Sequence, residues 1–487
     1  MRSLRLLVIL WLAAALLGAP VDVTKALDGF DAVVERGMKE LQVPGAAVGA
    51  IYDGKVVLAR GYGLRDVTNR LPVTPRTLFA IGSVTKSFTA TLVTMEVDAG
   101  KLAWDRPVRE YLPWFRLHDP IATELMTPRD LLTHRSGLPR HDFIRMAVPM
   151  PRQELVRRLR YLEPSRTFRE TCQYQNLMYV SAGYLAGEVA GSTWEQLVAE
   201  RIFGPLGMTR SNTSVADSQA SDDFAKPYVR EGGRVNEVPF YDYQRFGVGP
   251  NGAVNSSVED MLKYLQFHMR GGKAGDRQLV SPEQMRQLHT PHVVSAPDIT
   301  YALGWNVSYY RGRRQISHGG AITGFTAQAA FFPEDGIGII VLNNLSGSGL
   351  PSLVAATLAD RLLGLEPVDH LARARAVLAR QARSAEEARK KLEAARVPNT
   401  KPSHELAAFA GEYTHPAYGP VRVEVQGEGL RVVFPALSFD LKHYHYDTFA
   451  TPEGRMAQFQ THEAGKVASV TLPLEPAVKP LVFTRVR

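Results

Sequence analysis

One cysteine, Cys172, is all that this chain carries. No intramolecular disulfide can form, and a zinc site built from several thiolates is excluded. Low-complexity tracts and repeats of solenoid period are missing as well. Basic residues exceed acidic ones by only eight, and two of the excess are Arg2 and Arg5 at the very start. The clustered basic stripe interleaved with aromatics that nucleic-acid binding needs is not found. What remains is the profile of a soluble globular protein, 45% hydrophobic and 22% charged. Its 487 residues are too many for one ordinary core and point to two or three domains.

The chain opens MRSLRLLVILWLAAALLGAPVD. Two arginines, an apolar stretch from Leu6 to Leu17 and small residues beyond it make a secretory signal, expected over residues 1–19. The apolar run is short for a bilayer span. Cleavage after Ala19 or near Ala13 to Ala15, or retention as an uncleaved anchor, are the alternatives, and no cysteine follows that would carry a lipid. The expected location is secreted or periplasmic.

Asp28 to Leu41 has the periodicity of an amphipathic helix. Gly45 to Tyr52 and Lys55 to Tyr62 read as strands joined at Asp53-Gly54, a strong hairpin signal. A helix follows from about Ser83, with Phe88, Leu92 and Met95 at helical spacing and Gly100 as its stop. After a middle of helices and long loops, Phe325 to Phe332 and Ile337 to Leu342 return to strands across the turn Pro333-Glu334-Asp335-Gly336. Strands at both ends with helices between predict an α/β core whose ends share one sheet. From His370 to Arg396 helix propensity is high, and Glu386 and Glu387 stand four residues before Lys390 and Lys391. Both charge signs favour a solvated connector over a membrane-surface helix. Beyond Ser403 short alternating segments (VRVEV, LRVVF, FDLKHYHY, MAQFQTH, SVTLPL, LVFTRV) predict a small antiparallel barrel or sandwich. The expected layout is a core domain over 25–368, a helical linker over 369–402 and a β domain over 403–487.

The chemistry centres on Ser83-Val84-Thr85-Lys86. On a helix, residues three apart share a face, so an amine lies beside a hydroxyl. Serine is a poor nucleophile without a base, and lysine serves as one when burial or nearby positive charge lowers its pKa. The start of a helix adds amide dipoles that favour developing negative charge. A helix cap followed by a surface lysine gives the same four letters, so the motif alone decides little. No Gly-x-Ser-x-Gly elbow offers a rival nucleophile.

The ordered set of TLFAIGSVTKSFTA (77–90), LAWDRPVREYLP (102–113), LLTHRSGLP (131–139), YQNLMYVSAGYL (174–185), FGPLGMTRS (203–211) and HGGAITGF (318–325) resembles the serine β-lactamase-like, penicillin-binding-protein-like family. Class C β-lactamases, D-aminopeptidases and esterases are its relatives. The resemblance implies an antiparallel sheet flanked by helices and an acyl-enzyme on Ser83. Tyr174-Gln175-Asn176 is similar to the family's Tyr-x-Asn element. It implies a proton-relaying Tyr174 and an Asn176 that bonds Lys86 or the substrate amide. His318-Gly319-Gly320 is similar to the third element, usually Lys-Thr-Gly, on an edge strand lining the site. The backbone amides of Ser83 and Ala321 are implied as the oxyanion hole. Histidine in place of lysine removes a permanent cation that would attract a carboxylate. That favours aminopeptidase- or esterase-like activity over a carboxypeptidase or β-lactamase. Imidazole titrates near neutrality, so Lys86, Tyr174 and His318 all stand as candidates for the base. A sensor that binds without turnover is the alternative from another class.

AAFAGEYTHPAYGPVRVEV (407–425) is similar to the opening of a lipocalin-like domain, which could cap the site, hold a product, mediate homo-oligomers or only add stability. The resemblance implies a small-molecule or peptide substrate, no nucleic acid, no cofactor and no metal. Three weaker signals remain. His134 with Ser136 imitates a catalytic pair but is structural in the family. His443-x-His445 lacks a third ligand and reads as a solvated strand face. Cys172 reads as a structural thiol near the site.

Overall fold

The computed structural model describes residues 21–486. The leader expected over 1–19 lies outside the described residues. The larger unit is built on a nine-stranded antiparallel sheet. In spatial order its strands are Val293–Ala296, Ile299–Tyr301, Asn306–Tyr310, Arg313–Ile322, Phe325–Phe332, Ile337–Asn343, Gly45–Tyr52, Lys55–Asp66 and Leu71–Pro72. The two ends of this unit meet at its centre, where Ala46 pairs with Asn343 and Tyr52 with Ile337. The Asp53-Gly54 turn has φ of 48° and 73°, the two positive values that a two-residue hairpin of the primed type needs.

Ile337–Asn343 is buried along its whole length because both faces of the sheet are covered. Ile339 and Val341 pack with Val34 and Leu353, whereas Ile340 and Leu342 join Val258 and Leu262. The alternation is the two-residue period of a strand. Phe30–Leu41 and Leu350–Leu362 therefore lie on one face and Val258–Met269 on the other. The first helix is shorter than expected. Gly29, at φ 63°, separates Phe30–Leu41 from a short turn of helix at Val23–Leu27. Thr85–Asp98 and Asn176–Ala190 form the heart of the helical part, buried nearly all round rather than on one stripe.

His370–Ala394 is an exposed helix that buries only His370 and Leu371. Glu386 pairs with Arg389 and Lys390 on its surface. Among the described residues no helix is long and apolar enough to cross a membrane. The chain ends in a closed antiparallel barrel of eight strands. Six coincide with the alternating segments of the sequence. Gly411–His415 and Thr448–Ala450 are additional, and Gly411–His415 closes the barrel against Leu481–Arg485. Val423, Val432, Phe449, Phe459, Val470 and Phe483 fill its interior, as side chains do in small barrels.

Candidate active site

Ser83 sits in a single 3₁₀ turn, Gly82–Val84, that feeds directly into the helix Thr85–Asp98. The regular helix thus starts two residues later than the sequence implies, and the i, i+3 relation survives the change. Lys86 Nζ lies 2.9 Å from Ser83 Oγ and donates to the Asn251 carbonyl at 2.8 Å. Lys86 is completely buried. Burial pushes its pKa well below the ordinary 10.5, the guanidiniums of Arg145 and Arg140 push it further, and Asp142 opposes them. With the amine neutral, the contact to Ser83 reverses: the hydroxyl donates and the lysine lone pair accepts.

Tyr174 stands against the same pair. Lys86 Nζ lies 4.9 Å from the centre of its ring. Burial pushes the phenol up to about 12, and a hydrogen bond with Ser83 acts against that rise. Tyr174 therefore keeps its proton at neutral pH and can pass one to a leaving group.

His318 lies beside the site but is buried, its ring centre 6.4 Å from that of Tyr174. Its Nδ1 is 2.7 Å from the Gly319 carbonyl, which can only accept, so Nδ1 carries the proton. Nε2 then accepts from the Tyr301 hydroxyl at 3.0 Å. Both ring nitrogens are committed. Burial, with Lys86 adding to it, takes the His318 pKa down to about 3. The expected titration near neutrality is absent, and no free lone pair is offered to Ser83. The strand is an edge only in part. Asn306 to Tyr310 pair with its first half as far as Ser317, and the half from His318 to Ile322 has a partner on one side alone.

That free side faces the nucleophile turn. A β-carbon on Gly320 would collide with the Ile81 carbonyl oxygen, and one on Gly82 would stand 2.8 Å from the Ala321 nitrogen. Gly82 also holds φ at 51°. Glycine at 82 and 320 lets two backbones touch, bringing Ala321 beside Ser83 in the cleft. An oxyanion hole needs two amides converging on one point. Gly319 is exposed and has room for a side chain.

Asn176, the first residue of its helix, lines the cleft. It does not bond Lys86. Its Nδ2 donates to Asp142 Oδ1 at 2.7 Å, and its Oδ1 is buried without a partner. Asp142 also accepts from Arg140 Nε at 2.6 Å and Arg145 Nε at 2.8 Å. Burial would raise its pKa, but the two guanidiniums prevail and hold it at about 2. Arg140, Arg145, Tyr241, Tyr243 and Asn251 also line the cleft. None of the five belongs to a motif that the sequence singles out. The charged run Arg140-His141-Asp142 beside LLTHRSGLP was the available signal for the first of them.

His134 and Ser136 do not form a pair. His134 Nδ1 accepts from the Gln175 amide and its ring lies tilted against Tyr174, centres 4.3 Å apart, while Ser136 caps Leu138 N. His443 bonds the Tyr446 carbonyl and His445 accepts from Val397 N. No group of three metal-ligating side chains occurs among the described residues. Cys172 is half-buried, and burial pushes its thiol up to about 11.

Comparison with known proteins decides the family. A model described as Beta-lactamase matches residues 30–363. The chain belongs to the Beta-lactamase family. A domain of unknown function, DUF3471, matches residues 395–485. Within the family, Unguisins hydrolase ungD' of Aspergillus campestris is 30% identical over 422 residues, 82% of this chain and 77% of that one. The octameric penicillin-binding protein homologue from Pyrococcus abyssi superposes with a TM-score of 0.62 at 26% identity, covering 94% of this chain and 99% of the other. D-alanine carboxypeptidase AmpC from Burkholderia cenocepacia gives 0.58 at 25% identity, covering 70% and 99%. The protein is a serine hydrolase of this family, with an eight-stranded barrel appended.

Proposed function

We propose that the protein cleaves peptide, amide or ester bonds through an acyl-enzyme on Ser83, with aminopeptidase- or esterase-like substrates. The observation that carries this reading is the buried Lys86 amine, 2.9 Å from Ser83 Oγ and shifted toward its neutral form. Ser83 Oγ attacks the carbonyl carbon while its proton passes to Lys86 Nζ. The oxyanion settles between the amides of Ser83 and Ala321. As the carbon–nitrogen or carbon–oxygen bond breaks, Tyr174 relays a proton to the leaving group. Water then attacks the acyl-enzyme, gives its proton to the same network and frees the acid and Ser83.

The substrate preference rests on charge. His318 is neutral, so its strand offers no fixed cation to a carboxylate. The cations of the cleft are Arg140, on a loop, and Arg145, on the short helix Ile144–Ala147, and both are paired with Asp142. Labelling by a fluorophosphonate and a panel of D- and L-aminoacyl amides, short p-nitrophenyl esters and nitrocefin test the reading. Turnover of amides or esters ahead of nitrocefin is expected. Labelling without turnover of any of them would overturn it in favour of a sensor.

Two further parts belong to this proposal. The basic and apolar start supports export, which detection of the mature protein in a periplasmic or culture fraction would test. The likeness to a homologue described as octameric, across 94% of this chain, supports homo-oligomers involving the barrel. Light scattering on the purified protein tests that.

A further inference from the structure

The loop that brings Arg140, Asp142 and Arg145 to the cleft is gripped by the C-terminal barrel. Its pivot is His141, completely buried and held at φ 44°, a left-handed value that costs a non-glycine residue energy. Such a conformation persists only where its surroundings enforce it, and here most of the enforcement comes from the barrel. The His141 amide donates to Glu475 Oε2 at 2.7 Å, and Glu475 is itself buried and fixed by the Ala477 amide on its other oxygen. The His141 ring spans the boundary as well. Its Nε2 faces the Glu163 carbonyl at 3.4 Å, so Nδ1 accepts from the Tyr418 hydroxyl at 3.1 Å. Two residues on, Phe143 packs its ring 4.9 Å from Phe434 of the barrel, and the Ala147 carbonyl accepts from Ala436 N at 3.0 Å.

The residues on either side of this pivot face the chemistry. Asp142 binds Asn176, Arg140 and Arg145 together, and those three line the cleft with Ser83. We infer that the barrel is a working part of the active site: Glu475 and Tyr418 are positioning residues that hold His141, and through it set the Arg140–Asp142–Arg145 wall against which substrate binds. This deepens the proposed hydrolase function and rests on it for the kinetic part alone. It gives the barrel a role other than storing a ligand, in keeping with an interior filled by side chains.

The test uses the full chain and four variants: Glu475→Ala, Glu475→Gln, His141→Gly and the double variant His141→Gly/Glu475→Ala. Glycine accepts the positive φ at 141, so that variant frees the loop without straining it. Amide hydrogen exchange over residues 139–148 is the readout independent of activity. Steady-state kinetics on p-nitrophenyl butyrate is the second, since its acyl chain and aryl group extend to both sides of the scissile bond. Glu475→Ala is expected to speed exchange in this loop and raise KM about tenfold, the scale of one lost charge-assisted hydrogen bond, with kcat little changed. Glu475→Gln, which keeps an acceptor, should restore most of both. The double variant should be no worse than the poorer single variant, because both act through one pivot. Unchanged exchange in Glu475→Ala, or fully additive losses in the double variant, would overturn the inference. If the wild type turns over neither this ester nor any of the aminoacyl amides, the proposed function falls, and exchange alone still decides the coupling.

Discussion

Gly320 runs so close to Ile81 that the first carbon of any side chain on it would collide with the Ile81 carbonyl oxygen. The contact joins the strand carrying Ala321 to the turn carrying Ser83, and so sets the spacing of the two amides. Gly320→Ala must push them apart. A loss of about a hundredfold in kcat is expected, the scale of one lost oxyanion donor. At Gly319 a β-carbon would meet the tip of Gln328 at 3.4 Å, a side chain that can yield, and the Ala327 carbonyl oxygen at an ordinary 3.9 Å. Gly319→Ala should therefore cost much less. Equal losses on a p-nitrophenyl ester in the two variants would show that the strand does not place an oxyanion hole.

Ser83→Ala should lower turnover about a thousandfold or more while leaving the melting temperature near that of the wild type, since it removes the acyl acceptor and little volume. Lys86 supplies a sharper thermodynamic test. Its folded pKa lies well below 10.5, so between those two values the unfolded chain holds more protons than the folded one. Stability then rises with pH across that window. The melting temperature of the wild type should gain on that of Lys86→Met as pH climbs toward about 10.5. Parallel curves would mean that Lys86 is charged in the folded protein.

His318 gives a signature of the same sign in a lower pH window. Its folded pKa of about 3 is depressed from 6.5, so the stability it contributes is present above pH 6.5 and lost as pH falls toward 3. His318→Asn keeps a donor for the Gly319 carbonyl and removes the titration. The variant should lose less stability over that acid range. The midpoint of its pH–activity curve should stay where the wild type has it, because on the proposed mechanism the rate follows Lys86. A midpoint displaced in His318→Asn would return the proton-accepting role to His318.

The parts of the site that the sequence disclosed are those fixed by short-range geometry. Ser83 and Lys86 are one helical turn apart, and the Asp53-Gly54 hairpin is set by two residues. The strands that sequence reading passed over have weak local patterns: Thr448–Ala450 is three residues long, and Gly411–His415 ends against Pro416. The Asn251 partner of Lys86 is a backbone carbonyl, which no residue type announces. The tautomer of His318 depends on the Tyr301 hydroxyl, and the place of Asp142 depends on a His141–Glu475 bond across 334 positions. Such relations exist only once the tertiary structure has formed.

Asp142 and Arg145 should move the proton affinity of Lys86 in opposite directions, and this makes them the strongest joint test of the mechanism. Arg145 and Arg140 lower the Lys86 pKa, and Asp142 raises it. Asp142 is held at about 2 by the same arginines, so it is charged throughout the working range. Asp142→Asn removes a negative charge that raises the Lys86 pKa, and so lowers that pKa further. The rate of Ser83 labelling by a fluorophosphonate should then reach half its plateau at a lower pH. Arg145→Gln removes a positive charge, raises the Lys86 pKa and should move that midpoint to higher pH. Shifts of about half a unit to one unit each way are expected for charges at this range in a partly dry site. The plateau rates are free to fall in both variants, because both disturb the wall of the cleft. The direction of the midpoint is the decisive reading. Shifts of the same sign would show that the acid limb is governed by a group other than Lys86, and the base would have to be sought in Tyr174.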